Sequence, residues 1–169
     1  MKFKELFSAQ LEREMPATRN ALLRVPEGRN DWKPHDKSMS LGQLATLVAT
    51  MPSWLEVMIE QDELDFMAPD SKKYSHEPPA TNAELVKKFD ECVAKARKAL
   101  AATNDEHLMK KWVMRAGEHV ISDRPRHIAI ADDMFCHFAH HRGQLTVYLR
   151  LNDASVPAIY GPTADEGKM

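Results

Sequence analysis

The stretch Asp132-Asp133-Met134-Phe135-Cys136-His137-Phe138-Ala139-His140-His141-Arg142-Gly143-Gln144-Leu145-Thr146-Val147-Tyr148-Leu149-Arg150 reads as one long helix. At about 100° per residue, His137 and His141 lie one above the other. Ile130, Met134, Leu145 and Tyr148 fall on the same side of the wheel, which aims both imidazoles at an apolar interior. Cys136 lies about 100° from His137 and so points elsewhere. Two histidines at i and i+4 can chelate one metal ion, because both rings can aim at a point just off the helix axis. The same pair can also be a hydrogen-bonded feature of a core.

Before this stretch, Pro125 suits a first helical position. The turn-centred, partly β-branched run Trp112–Ile121 predicts a short extended hairpin between helices. Three further helices follow from apolar spacing. The first carries Phe3, Leu6, Phe7, Leu11, Met15, Leu22 and Leu23 and runs to about Val25, with a kink or local break at Pro16. The second opens on the capping box Ser40-Leu41-Gly42-Gln43 and is bent or broken at Pro52. The third opens on Thr81-Asn82-Ala83-Glu84 and buries Leu85, Val86, Phe89, Val93 and Leu100. The fourth runs to about Leu151, and an extended tail from about residue 153 docks through Ile159 and Tyr160. Trp32, in a loop of turn residues, packs across one end. The expected architecture is all-α, an up-down four-helix bundle with a hairpin-like insert before the last helix, one domain over residues 1–169.

A chain of 169 residues with 43% hydrophobic and 28% charged residues has the composition of an ordinary globular domain. A net charge of −2 gives no reason to expect nucleic acid as a partner. No apolar run reaches membrane-spanning length, and the N-terminus turns polar too soon for a signal peptide. Cys92 and Cys136 are too few for a disulfide scaffold and read as reduced thiols of a cytoplasmic protein.

The motif His137-x-x-x-His141-Arg142-Gly143-Gln144-Leu145, followed by Tyr148-Leu149-Arg150, resembles the last helix of the DinB-like superfamily. Met39-Ser40-Leu41-Gly42-Gln43-Leu44-Ala45 is similar to the opening of that family's second helix. Asp31-Trp32-Lys33-Pro34 and Ile159-Tyr160-Gly161-Pro162 extend the likeness over nearly the whole chain. The resemblance implies a four-helix bundle, often a homodimer, in which three histidines hold a divalent metal, one from helix two and two from the His-x-x-x-His. It also implies metal-dependent hydrolase chemistry, or thiol S-transferase chemistry with a bacillithiol- or mycothiol-type cofactor. This chain departs from the pattern at one position. Leu47 stands where the helix-two histidine belongs, and there is no histidine between Ser38 and Tyr74.

Two functions are compatible with these residues. In the first, His137 and His141 hold zinc or nickel with an incomplete histidine triad, and the metal activates water or a thiol. Tyr148 and Arg142 are then the candidates to orient substrate, Arg142 by clamping an anionic group. Their alternatives are a core tyrosine and an ion pair with an acidic residue of a neighbouring helix. In the second, the metal site is degenerate, Leu47 fills the ion's place, and the bundle binds a small ligand or a second copy of itself. Gln144 is the candidate hydrogen-bond partner of a metal-free His141. Cys136 as a nucleophile, with His140 as base, is a third idea. His35, His76, His107, His119 and His127 read as surface histidines. Gly143, costly inside a helix, suggests a close helix–helix approach.

Overall fold

The Ser40 hydroxyl accepts from the Gln43 amide and the Thr81 hydroxyl from the Glu84 amide, each at 3.2 Å. The side chains of Gln43 and Glu84 answer by accepting from the cap amides. These boxes open α2 (Leu41–Thr50) and, further on, α4 (Asn82–Ala102) of the computed structural model, which describes residues 2–68 and 77–167. His76 lies outside the described residues.

The first helix, α1, spans Phe3–Leu22 and ends short of Val25. It runs through Pro16 without a break. Pro16 and Glu12, whose carbonyl loses its usual donor, both face solvent, so water can take the place of the missing amide. Pro52 does interrupt its helix: a 3-10 turn, Met51–Ser53, separates α2 from α3 (Trp54–Glu60). A short α5 (Asp105–Met109) follows α4, and the Asp105 carboxylate accepts from the amides of Phe3 and Lys4, closing the start of α1.

The expectation of an all-α chain does not hold. A three-stranded mixed sheet in the order β1-β2-β3 is built into the fold. Strands β2 (Lys111–Ala116) and β3 (His119–Pro125) form the expected hairpin, turning at Gly117 with φ of 61° and bulging between Met114 and Arg115. The strand β1 (Glu63–Asp65) pairs parallel to β2, Glu63 opposite Val113. Three residues are too few to display an alternating pattern, and the partner lies far along the chain.

The last helix is not uniform either. Pro125 ends β3, and α6 (Arg126–Ala129) passes into a π-helical segment, Ile130–Cys136, before α7 (His137–Leu151). The i→i+5 winding turns each residue through less than the α-helical 100°, so it rotates α7 about its axis relative to α6. Met134, Phe135 and Phe138 take the core face together, and His137 is turned out to an exposed position. The wheel that placed both histidines inside assumed an unbroken α-helix.

Packing forms a ring: α4 lies against α1, α2 and α3, and α7 lies against α2 and α1. Leu11, Leu22, Leu44, Phe89, Leu100 and Phe138 fill the centre. Arg126 is fully buried and ties the sheet end to α3, donating to the carbonyls of Met58 and Gln61 and to Asp62. No helix among the described residues is long and apolar enough to cross a membrane.

Gly143 makes no close approach. A Cβ built there meets nothing within 4 Å, and the residue is exposed. Gly143→Ala is therefore expected to stabilise the protein by about 1 kcal/mol, the difference in helix propensity. A rise in the urea midpoint at unchanged m-value checks it, and a fall would reveal a neighbour at that face.

Candidate functional site

His141 begins the site because its surroundings fix its hydrogens. It is 9% exposed, and its Nδ1 lies 2.8 Å from Gln144 Oε1, one helical turn on. An amide oxygen only accepts, so His141 Nδ1 carries the hydrogen and Nε2 is left with a lone pair. That lone pair faces His137 Nε2, also at 2.8 Å, and His137 is then the donor. The contact is satisfied with His141 accepting and His137 donating. Burial holds the His141 pKa below its ordinary value, and the neighbouring His137 and His140 push the same way against the Gln144 hydrogen bond.

The two Nε2 atoms converge on one point, as chelation requires. A tetrahedral zinc with bonds of about 2.0–2.1 Å would need them about 3.3 Å apart, a small opening of the present geometry. The donor set is nevertheless short. Leu47 on α2 brings a hydrocarbon, and no group of three His, Cys, Asp or Glu side chains gathers around a metal-sized point among the described residues. The residues present do not fit the three-ligand centre that the resemblance implies.

Beside His137 lies a cavity of about 440 Å³, within the range of small-molecule pockets. One wall is Trp54, Val57 and Met58 of α3. The sheet supplies the opposite wall through Leu64 of β1 and Trp112 and Met114 of β2, with Phe66 just beyond β1. Asp133, in the π-helical segment, and His137 are its polar residues. The Trp54 and His137 rings are tilted against each other at 5.6 Å, so the histidine pair and the cavity form one continuous site. Asp133 Oδ1 accepts from Arg124 Nη2 at 2.5 Å, while Arg124 Nη1 reaches Asp132.

Arg142 and Tyr148 stand elsewhere. The Arg142 guanidinium is 1% exposed and pairs with Glu14 Oε2 at 2.6 Å, with Thr18 Oγ1 at 2.9 Å and with the Tyr160 hydroxyl. It is an α1–α7 tie that also holds the tail. The Tyr148 hydroxyl donates to the Met39 carbonyl at 3.2 Å, and its ring meets the edge of Trp32 at 5.5 Å. Cys136 and His140 are exposed. His107 Nε2 lies at the Ile59 carbonyl, and His127 Nδ1 at the Leu108 carbonyl, both half-buried. His35 and His119 are exposed. The cavity residues Trp54, Trp112 and Asp133 were not singled out by sequence reasoning. A tryptophan in the hairpin and an acidic pair just ahead of the histidines were the signals available.

The arrangement defines a helical protein with a paired-histidine wall beside an apolar pocket under a small sheet. The DinB family profile matches residues 2–168, and the chain belongs to the DinB family. It is similar in fold to a DinB-like protein from Bacillus cereus, at 20% identity and a TM-score of 0.70 over 92% of this chain and 97% of that one. A DinB-like protein from Bacillus subtilis matches at 18% identity and a TM-score of 0.68, over 90% of this chain and 95% of that one. No curated protein matches the chain.

Proposed function

We propose that this DinB-family protein binds a small, largely apolar molecule in the cavity between α3 and the sheet, with the His137–His141 pair as the polar end of the site. One observation carries this reading: a pocket of about 440 Å³ with aromatic and aliphatic walls opens onto His137. The hydrolase or thiol-transferase chemistry of the family resemblance calls for a third metal ligand, which Leu47 does not provide. The histidine pair needs no ion to be satisfied, since Gln144, His141 and His137 form a closed donor–acceptor chain.

The uncharged fluorophore N-phenyl-1-naphthylamine is the probe of choice. Its fluorescence is expected to rise and saturate at one equivalent of wild-type protein. Val57→Trp, which fills the cavity from the α3 wall, is expected to weaken that binding at least tenfold while leaving the thermal midpoint nearly unchanged. Equal binding by both proteins would place the probe elsewhere and overturn the reading.

A further inference from the structure

The cavity between α3 and the sheet joins aromatic walls to charge of one sign. Trp54 of α3, Trp112 of β2 and Phe66 just beyond β1 belong to its lining, and Trp54 and Phe66 keep part of their surface open to solvent. Among the described residues Asp133 is the only acidic side chain of that lining, and no Lys or Arg belongs to it. Arg124 does not neutralise the acid fully. Its guanidinium lies 2.5 Å from Asp133 Oδ1 and 2.7 Å from Asp132 Oδ2, so two carboxylates share one cation and one negative charge is left over. The other cations of the sheet and its end are matched one to one among the described residues, Lys111 with Asp123, Arg115 with Glu63 and Arg126 with Asp62. A cleft with apolar walls and an excess of one sign concentrates that sign's field inside it.

Resting on the ligand-binding reading above, we infer that the cavity takes an apolar molecule carrying a quaternary ammonium head, in preference to its uncharged isostere and to an anion. The face of an aromatic ring is negative, and a tetraalkylammonium presents its charge through methyl groups that pack on such a face. It asks for no hydrogen bond, which is what these walls can offer. Asp133 Oδ1 is committed to Arg124 and Oδ2 is covered, so the excess charge acts through space and not through a contact. His137 spends Nε2 on His141, which leaves one imidazole nitrogen for any head group. A primary ammonium brings three N–H donors and would give up water that this lining does not replace. An anionic head would meet the uncompensated negative charge inside apolar walls, where like charges are poorly screened.

The test displaces N-phenyl-1-naphthylamine from the full chain at about pH 8, where free imidazole is uncharged. The competitors are benzyltrimethylammonium, its carbon isostere neopentylbenzene and phenylmethanesulfonate, which share a benzyl body and a tetrahedral head. The cation is expected to bind about fivefold or more tightly than neopentylbenzene, and the sulfonate more weakly than either. Raising the salt from about 0.05 M to about 0.5 M should weaken the cation and not the hydrocarbon. The N-methyl proton resonance should move upfield on binding, the ring-current signature of a head group lying over an aromatic face. In Asp133→Asn the cation's advantage should fall to about twofold while neopentylbenzene still displaces the fluorophore. Equal or tighter binding of neopentylbenzene or the sulfonate in the wild type, an unmoved N-methyl resonance, or no displacement by any of the three would overturn the cation selection and leave the apolar-pocket reading intact. Failure of the fluorophore itself to bind would overturn both. The wild-type ranking decides the matter even if Asp133→Asn, which loosens Arg124, folds poorly.

Discussion

Arg142→Leu is expected to lower the unfolding free energy by about 3–5 kcal/mol, because it leaves the buried Glu14 carboxylate without its buried cation, with only the exposed Arg13 at 3.6 Å. Urea denaturation at neutral pH would measure it. Replacing Glu14 by leucine as well should recover much of the loss, since well-packed apolar residues often substitute for a buried ion pair without net cost. The pH dependence separates charge from packing. Burial pushes the Glu14 pKa up, but hydrogen bonds from Tyr160 and Arg142 outweigh it and hold the carboxyl below the ordinary value of 4.5. A depressed folded value means that the stabilisation is present above the unfolded pKa and is lost as pH falls through the folded one. Without Arg142, burial is opposed only by the Tyr160 hydrogen bond and the solvent-exposed Arg13, so the Glu14 pKa rises and the variant's deficit should shrink on acidification. A deficit that stays constant from pH 7 to pH 3 would assign the loss to the packing of the guanidinium instead.

Leu47→His is expected to raise zinc affinity by about a hundredfold or more, by adding a third imidazole to a pair already held in converging geometry. Helix α2 lies directly against α7, and His141 is already oriented through Gln144. Competition with a chromogenic zinc chelator would report the change, and adding His141→Ala to the variant should abolish it. No gain in affinity would show that the side chain at position 47 does not reach the pair. The comparison also isolates one substitution as the difference between a metal site and a self-satisfied hydrogen-bonded pair.

The helical frame was legible because its signals are local. Ser40 with Gln43 and Thr81 with Glu84 mark helix starts within four residues, and the i, i+4 spacing of His137 and His141 was enough to predict that they meet. Gln144, one turn past His141, was legible for the same reason. The features that escaped the sequence depend on distance or on winding. Glu14 lies 128 residues from Arg142, and many acidic residues were equally eligible partners. The pairing of Glu63 with Val113 joins segments that no periodicity connects. The outward position of His137 follows from the core face of α7, which centres on Phe138, Leu145 and Leu149, and the wheel drawn through Ile130 and Met134 was out of phase with that face because a π-helical segment intervenes. The cavity is a gap between a sheet and a helix, and a gap has no sequence motif.

The π-helical segment also bears on how this fold can vary. It is in effect an α-helix carrying one residue more than its turns require, placed between the hairpin end of the molecule and the histidine helix. Losing a single codon between Ile130 and Cys136 would let the segment relax to α-helix with its two ends nearly in phase, because the wider turn already absorbs the additional residue. The α7 end is anchored by Arg142 on Glu14, so the change falls on the bulged turn itself, which carries Asp133 to the cavity. A change of length here can therefore move one of the cavity's polar residues while α6, the sheet and α7 keep their places. For a lineage built on this frame, insertion and deletion are a route to new ligands that point substitution does not offer.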